Sequence, residues 1–140
     1  AALTIRSKGL GLADRNQVVE WFRDPRYREE RILFIDARDD QHYLAGHIPG
    51  AFQLNYYHPD QHLPSVLQAG QAAEVLVVYC NGGDCEDSEL TAQLLAGAFP
   101  PEKIHVYLGG FAEWVTNSLP VEIGARNSGV LRPAQQPPGT

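Results

Sequence analysis

The sequence predicts an α/β fold in which a parallel sheet lies between helices on both of its faces. Short apolar runs typical of buried strands, at residues 32–35, 75–79 and 104–108, alternate with helical patterns along the chain. The run at residues 75–79, VLVVY, has no polar interruption, as expected of a strand buried on both faces. A chain of 140 residues with 44% apolar content suits one domain with a substantial core.

The first third of the chain predicts two strands separated by a helix. Residues 3–5 are expected to form a short strand, after which two glycines break the chain. Asp14 with Gln17 three positions later resembles a capping box, which predicts a helix through residues 18–22. The apolar run at residues 32–35 then predicts a central strand that ends in Asp-Ala-Arg.

The middle of the chain continues the alternation of helix and strand. A polar helix is expected through residues 43–44, followed by turn chemistry at residues 46–50, Gly-His-Ile-Pro-Gly. A short strand is expected at residues 51–54. Two prolines then mark the start of a helix with its apolar face at residues 63–67.

Residues 75–95 predict a buried strand that runs through a tight turn directly into a helix. Both cysteines lie in that turn, and Cys80 stands at the carboxyl end of the strand, where α/β proteins bind ligands. Asp87 or Ser88 is expected to cap the helix. The Asn-Gly-Gly sequence at residues 81–83 lets backbone N–H groups turn inward, toward an anion at a helix N-terminus. A cysteine in that field is biased toward the nucleophilic thiolate.

The chain closes with a strand at residues 104–108, a Gly-Gly turn and a short helical segment at residues 111–114. The composition then changes to a proline-rich sequence with little to bury. We therefore expect one domain over residues 1–124 and a flexible tail or linker over residues 125–140.

Composition excludes several classes of function. A net charge of −6 and a pI near 5.2 argue against nucleic acid or an anionic membrane surface as partner. The sequence shows no transmembrane run and no signal peptide. Two cysteines do not make a disulfide scaffold, so a reducing compartment, the cytoplasm, or a local redox pair is expected. The absence of methionine suggests a processed chain or a piece of a larger protein.

Three stretches in this order resemble the rhodanese-like family of sulfurtransferases: ILFIDARDDQHYLAGHIPGAFQL, VVYCNGGDC and VYLGGFAEW. The resemblance implies a five-stranded parallel sheet between helices. It also implies that Cys80 accepts a sulfane sulfur as a persulfide and passes it to a nucleophile. The expected partners are a small sulfane-sulfur donor and a thiol or cyanide acceptor, with no cofactor and no metal.

The active loop, residues 80–88, departs from the family pattern Cys-x-x-Gly-x-Arg followed by Ser or Ala. Cys85 stands where the arginine is usual, and the serine arrives two positions late, so the loop looks longer. Its second half is acidic, which weakens electrostatic help for an anionic donor such as thiosulfate. The residues expected to bind substrate are Asn81, Gly82, Gly83, Asp84, Cys85, Glu86, Asp87 and Ser88, with Arg38 as a further candidate.

Other polar residues receive structural roles. Asp36 and Arg38 are expected to pair and brace the active loop rather than to contact substrate directly. His47 is expected to fix its turn by hydrogen bonds. His58 and His62 have a metal-like spacing, but an intervening proline and the lack of a third ligand argue against zinc.

Alternatives stay open at this point. A noncatalytic rhodanese-like module that binds a partner or senses redox state would explain the missing arginine and the acidic loop. Cysteine phosphatase chemistry is a weaker alternative, because it requires an arginine in the loop to clamp phosphate. Cys85 either resolves a persulfide on Cys80 by forming a disulfide or packs under the loop as an inert thiol.

Overall fold

Five strands form one parallel sheet in the order β1-β5-β4-β2-β3 in the computed structural model, which describes residues 2–83 and 85–132. The strands are Gly11–Ala13 (β1), Ile32–Asp36 (β2), Phe52–Gln53 (β3), Val75–Tyr79 (β4) and Ile104–Tyr107 (β5). The parallel five-stranded sheet expected from the sequence is confirmed. β4 occupies the centre, and β2 lies beside it.

Helices cover both faces of the sheet. They are Ala2–Ser7 (α1), Arg15–Arg23 (α2), Pro25–Arg28 (α3), Asp40–Ala45 (α4), Leu63–Gly70 (α5), Asp87–Leu95 (α6) and Gly110–Thr116 (α7). Apolar side chains of α1, α5 and α6 pack on one face, and those of α2, α3 and α7 pack on the other. Within the described ranges, every helix is too short or too polar to cross a membrane.

The pleat of β4 decides which layer the first cysteine faces. Val77 and Tyr79 belong to the core under α2 and α7, whereas Val78 and Cys80 belong to the core under α5 and α6. All four of these side chains are buried. Because successive residues of a strand point to opposite faces, Cys80 continues the row that faces α6.

The N-terminal prediction was wrong. Residues 3–5 lie within α1, where Ile5 is buried and Leu3 is 84% exposed, so this turn of helix places only one large apolar side chain inward. The first strand begins instead at Gly11, which we expected to break the chain. A Cβ on Gly11 would lie 2.2 Å from Nδ1 of His105, so close packing beside β5 requires the glycine.

Helix capping was predicted correctly for α2 but not for α6. Asp14 Oδ1 accepts a hydrogen bond from the Gln17 N–H at 2.9 Å, as the capping box predicts. α6 begins at Asp87, and its N-cap is Glu86, which makes no side-chain capping bond. Ser88 lies inside the first turn, where its hydroxyl faces the sulfur of Cys80 instead of the backbone.

The end of the described chain forms a hairpin. Val121–Glu122 (β6) and Leu131–Arg132 (β7) pair antiparallel, so the segment from residue 125, which composition marks as a tail, first turns back onto the domain. Residues 133–140 of that segment lie outside the described residues. The domain boundary at residue 124 stays a prediction.

Candidate active site

Cys80 lies immediately after β4, at the carboxyl edge of the sheet. The strand end is fixed by the Ala37 N–H, which donates to the Tyr79 carbonyl at 2.8 Å. The Cys80 side chain is only 2% exposed, and its sulfur is joined in a disulfide to Cys85, with a Cα–Cα distance of 6.5 Å. The two cysteines of the active loop therefore reach each other within the folded domain.

The first half of the active loop is attached to the start of α7. The Phe111 N–H donates to the Cys80 carbonyl, and the Ala112 N–H donates to the Asn81 carbonyl, both at 2.9 Å. These bonds satisfy N–H groups in the first turn of α7 that have no partner within the helix. The VYLGGFAEW stretch thus holds the backbone of the catalytic candidate.

Two glycines permit this attachment. Gly82 has φ +107, and a Cβ there would lie 2.2 Å from the Gly109 carbonyl oxygen. Gly110 has φ +64, and a Cβ there would lie 2.5 Å from the Gly82 nitrogen. Gly83 also has a positive φ, +61, but a Cβ there meets nothing within 4 Å. Close backbone approach, in addition to turn conformation, therefore requires glycine at Gly82 and Gly110.

The first turn of α6 contributes the side-chain environment of the sulfur. Ser88 Oγ lies 3.5 Å from Cys80 Sγ, and both side chains are buried. The N-terminus of a helix favours negative charge, whereas Asp87 and Glu89 in the same turn add negative charge of their own.

Asp36 and Arg38 form a buried ion pair at the end of β2. Arg38 Nε donates to Asp36 Oδ1 at 2.9 Å, and Nη2 donates to Oδ2 at 2.7 Å. Nη2 also donates to the Gly46 carbonyl at 2.6 Å. Asp36 is fully buried and Arg38 is 5% exposed, so the guanidinium is satisfied within the protein.

The same guanidinium touches the active loop and α7. Arg38 Nη1 lies 3.5 Å from Asn81 Oδ1, and the guanidinium carbon lies 4.3 Å from the centroid of the Phe111 ring. Burial alone lowers the pKa of Arg38, but the hydrogen bonds and charge of Asp36 raise it above its ordinary value. The guanidinium therefore contacts both the active loop and the first turn of α7.

His47 fixes its turn by hydrogen bonds, as expected. Its Nδ1 lies 2.9 Å from the Tyr43 carbonyl, and its Nε2 lies 2.8 Å from Glu122 Oε1. Burial raises the pKa of the Glu122 carboxyl, but hydrogen bonds from the Gly50 N–H and His47 bring it below its ordinary value. Sequence reasoning missed Glu122, which lies 75 positions from His47.

Tyr57 is a second residue near the site that sequence reasoning missed. Its hydroxyl donates to Asp87 Oδ1 at 3.0 Å, and this bond raises the pKa of Tyr57. The ring is 65% exposed and stands edge-on to Tyr56. This tyrosine pair follows β3 at the same sheet edge as Cys80, but nothing in the local sequence links Tyr57 to Asp87.

The fold brings together only some of the residues that we expected to bind substrate. Cys80, Cys85 and Ser88 come together at the start of α6, whereas Gly83 and Glu86 are exposed to solvent. Asp84 lies outside the described residues. His62 approaches Asp40 at 3.9 Å, and no group of three metal-binding side chains occurs in the part of the chain that the structure describes.

A cavity of about 1150 Å³ lies apart from this site. Its lining includes Tyr27, Pro49 and Arg126, and it contains no residue of the active loop. Arg126 is already engaged there, with the Gly50 carbonyl and with Glu30. We place the candidate site at Cys80 because the cavity holds no cysteine and the carboxyl edge of the sheet does.

Comparison with known families identifies the class of protein that this fold and this loop define. Residues 18–117 match the rhodanese-like domain. The match spans most of the sheet and includes all three stretches whose resemblance was noted in the sequence. The chain belongs to the rhodanese-like domain family.

Known relatives agree with this assignment. The chain is 31% identical over 101 residues to thiosulfate sulfurtransferase GlpE from Pseudomonas fluorescens (strain SBW25), covering 72% of this chain and 85% of that protein. The BH2092 protein from Bacillus halodurans has a similar fold, with a TM-score of 0.63 and 21% identity over 87% of this chain and 83% of that one. The human single-domain sulfurtransferase TSTD1 matches with a TM-score of 0.52 and 24% identity, over 75% and 95% of the two chains.

Proposed function

We propose that this protein is a sulfurtransferase that carries a sulfane sulfur as a persulfide on Cys80. The observation that carries the proposal is the placement of Cys80, at the end of the central strand and 3.5 Å from Ser88 in the first turn of α6. Membership of the rhodanese-like family and likeness to a protein named thiosulfate sulfurtransferase support it.

The reaction begins from the reduced protein. The Cys80 thiolate attacks the outer sulfur of the donor, and the rest of the donor leaves with the electron pair of the broken bond. With thiosulfate the leaving group is sulfite. The persulfide anion then lies at the N-terminus of α6, which favours negative charge. An acceptor thiolate or cyanide takes the outer sulfur and regenerates the Cys80 thiolate.

The neighbouring residues have distinct roles in this proposal. The Ser88 hydroxyl faces the sulfur, while Asp36 holds Arg38 so that it braces Asn81 and Phe111. Glu86 and Asp87 oppose anionic donors, so thiosulfate is a poorer donor than an uncharged or organic persulfide. Each turnover needs a reduced Cys80, and we therefore propose that the protein works in a reducing compartment such as the cytoplasm.

The test is the formation of thiocyanate from cyanide with thiosulfate, mercaptopyruvate or polysulfide as donor. Wild type and Cys85→Ser are reduced and freed of reductant before the assay, because a disulfide between Cys80 and Cys85 stops turnover. Cys85→Ser is expected to produce thiocyanate with at least one donor, and Cys80→Ser is expected to produce none while keeping its fold, because the change removes the thiolate from a nearly isosteric side chain. Absence of thiocyanate from both wild type and Cys85→Ser with all three donors would favour a noncatalytic module.

A further inference from the structure

We propose that Cys85 resolves the Cys80 persulfide, so that the protein reduces sulfane sulfur to sulfide with electrons from a dithiol. This proposal rests on the proposed function, since it begins from the same persulfide. It adds the product, sulfide, and the class of the second substrate, a dithiol reductant.

The disulfide is compatible with the folded domain. The Cα atoms of Cys80 and Cys85 are 6.5 Å apart, inside the roughly 4.4–6.8 Å that disulfides span. In the disulfide form the Cys80 carbonyl accepts a hydrogen bond from the Phe111 N–H, and α6 begins at Asp87. The Cys85 N–H donates to the Gly82 carbonyl at 3.2 Å, which makes a turn across the loop. The product of the attack therefore fits between the intact strand and helix.

The position of Cys85 gives it a nucleophilic role. It lies five residues after Cys80, where the family pattern places a cation that would attract an anionic donor. A second thiol there does not attract the donor, but it reaches the sulfur that the donor modifies. The sequence thus replaces a binding group with a second nucleophile.

The chemistry balances without any oxidant. The Cys85 thiolate attacks Sγ of Cys80, the Cys80–Cys85 bond forms, and the bond from Sγ to the outer sulfur breaks. The proton that Cys85 gives up on becoming a thiolate passes to the outer sulfur, which leaves with the electron pair as hydrosulfide. The two cysteines lose two electrons and the sulfane sulfur gains them. A dithiol then reduces the protein disulfide and itself becomes a disulfide, so the cycle consumes one donor and one dithiol.

The exposure of the two cysteines determines which of them the reductant attacks. Cys80 is 2% exposed in the disulfide form, whereas Cys85 is partly exposed. An incoming thiolate therefore reaches Cys85 first, and Cys80 is the leaving group. Its thiolate departs at the N-terminus of α6, where negative charge is favoured. The reduction thus restores the same nucleophile that takes up sulfur.

A single-turnover experiment tests this proposal. Reduced wild type, Cys85→Ser and Cys80→Ser are each mixed with thiosulfate, or with glutathione persulfide, whose outer sulfur carries an isotopic label. Labelled sulfide is trapped, free thiols are alkylated, and the intact mass is measured. Wild type is expected to release one labelled sulfide per chain and to lose two hydrogens. Cys85→Ser is expected to retain one labelled sulfur, and Cys80→Ser to take up none.

The outcomes separate this inference from the proposed function. If wild type and Cys85→Ser hold the extra sulfur equally long, Cys85 does not resolve the persulfide, although Cys80 still carries sulfur. If the label remains on wild type after transfer to Cys85, the inference also fails. If neither protein takes up sulfur from either donor, both proposals fail. With excess thioredoxin, wild type should release sulfide at a rate proportional to its concentration and faster than Cys85→Ser, whose persulfide the reductant must attack directly.

Discussion

Exchange of the two adjacent loop glycines for alanine is expected to have very different effects. Gly83→Ala places a Cβ in open space, and only the left-handed backbone conformation opposes it. That conformation costs roughly 1–2 kcal/mol for an L-residue. The restriction of the unfolded chain by alanine offsets about 0.4–1 kcal/mol of this. We expect Gly83→Ala to lower the free energy of unfolding by about 1 kcal/mol.

Gly82→Ala meets two further obstacles. Its φ of +107 lies outside the left-handed region that non-glycine residues adopt, and its Cβ would lie 2.2 Å from the Gly109 carbonyl oxygen. Backbone strain costs roughly 1–3 kcal/mol, and overpacking against fixed atoms costs roughly 1–3 kcal/mol more. We expect a loss of about 2–6 kcal/mol, or a displaced active loop that has lost its bonds to Phe111 and Ala112.

The stability of both variants is measured by urea unfolding under reducing conditions, so that Cys80 and Cys85 are free thiols in each. The rate of sulfur loading onto Cys80 is measured beside it, because relief of the clash moves the loop that carries the cysteine. Gly82→Ala should be far less stable than Gly83→Ala, or should load sulfur onto Cys80 far more slowly, or both. Equal losses within about 0.5 kcal/mol, with equal loading rates, would refute the close approach between Gly82 and Gly109 as the reason for glycine.

Three other predictions follow from the buried pairs and the loop charge. Asp36→Asn leaves the guanidinium of Arg38 buried without its counter-ion, and thermal or urea unfolding should show a loss of about 3–5 kcal/mol. The pKa of Glu122 is below its ordinary value in the fold, so the stability that its hydrogen bonds with the Gly50 N–H and His47 provide is present above about pH 4.3 and is lost as pH falls below it. Glu122→Gln should flatten that acid limb of the urea midpoint against pH. Glu86→Gln should raise kcat/KM for thiosulfate roughly twofold at low ionic strength, with the gain removed by salt.

Matched controls separate these effects from general damage. Glu29→Gln removes a carboxylate from an exposed pair with Arg31, and a loss of stability as large as that of Asp36→Asn would contradict the argument from burial. An acid limb unchanged in Glu122→Gln would show that other carboxylates carry the pH dependence. A gain for Glu86→Gln that persists at high salt would exclude the electrostatic explanation.

The sequence predicted most of the sheet because its strands carry their own signals. β4 is a continuous apolar run, β2 is apolar up to Asp36, and β5 has His105 as its one polar residue; the capping box of Asp14 marks α2 as expected. α1 was mistaken for a strand because the three residues Leu-Thr-Ile at positions 3–5 are too few to show a period by which a strand can be told from a helix.

The site was predicted in part for a similar reason. Cys80 and the turn of His47 lie in local motifs, so residue types within a few positions indicate their surroundings. The contact of Gly82 with Gly109 and the bond from Tyr57 to Asp87 join segments 27 and 30 residues apart, and no local pattern encodes them. The predicted N-cap of α6 was wrong because Ser88 faces the Cys80 sulfur, and this tertiary contact overrides the local preference of serine for capping.

The central claim, sulfur carriage on Cys80, is tested most directly in Cys85→Ser, where Cys80 is the only remaining cysteine. The reduced variant is incubated with polysulfide, desalted and measured by intact mass before and after a reductant. The account predicts a gain of one sulfur atom that reductant removes and that cyanide converts to thiocyanate. A variant that keeps its reduced mass and yields no thiocyanate, although its Cys80 thiol is alkylated normally, would contradict the account.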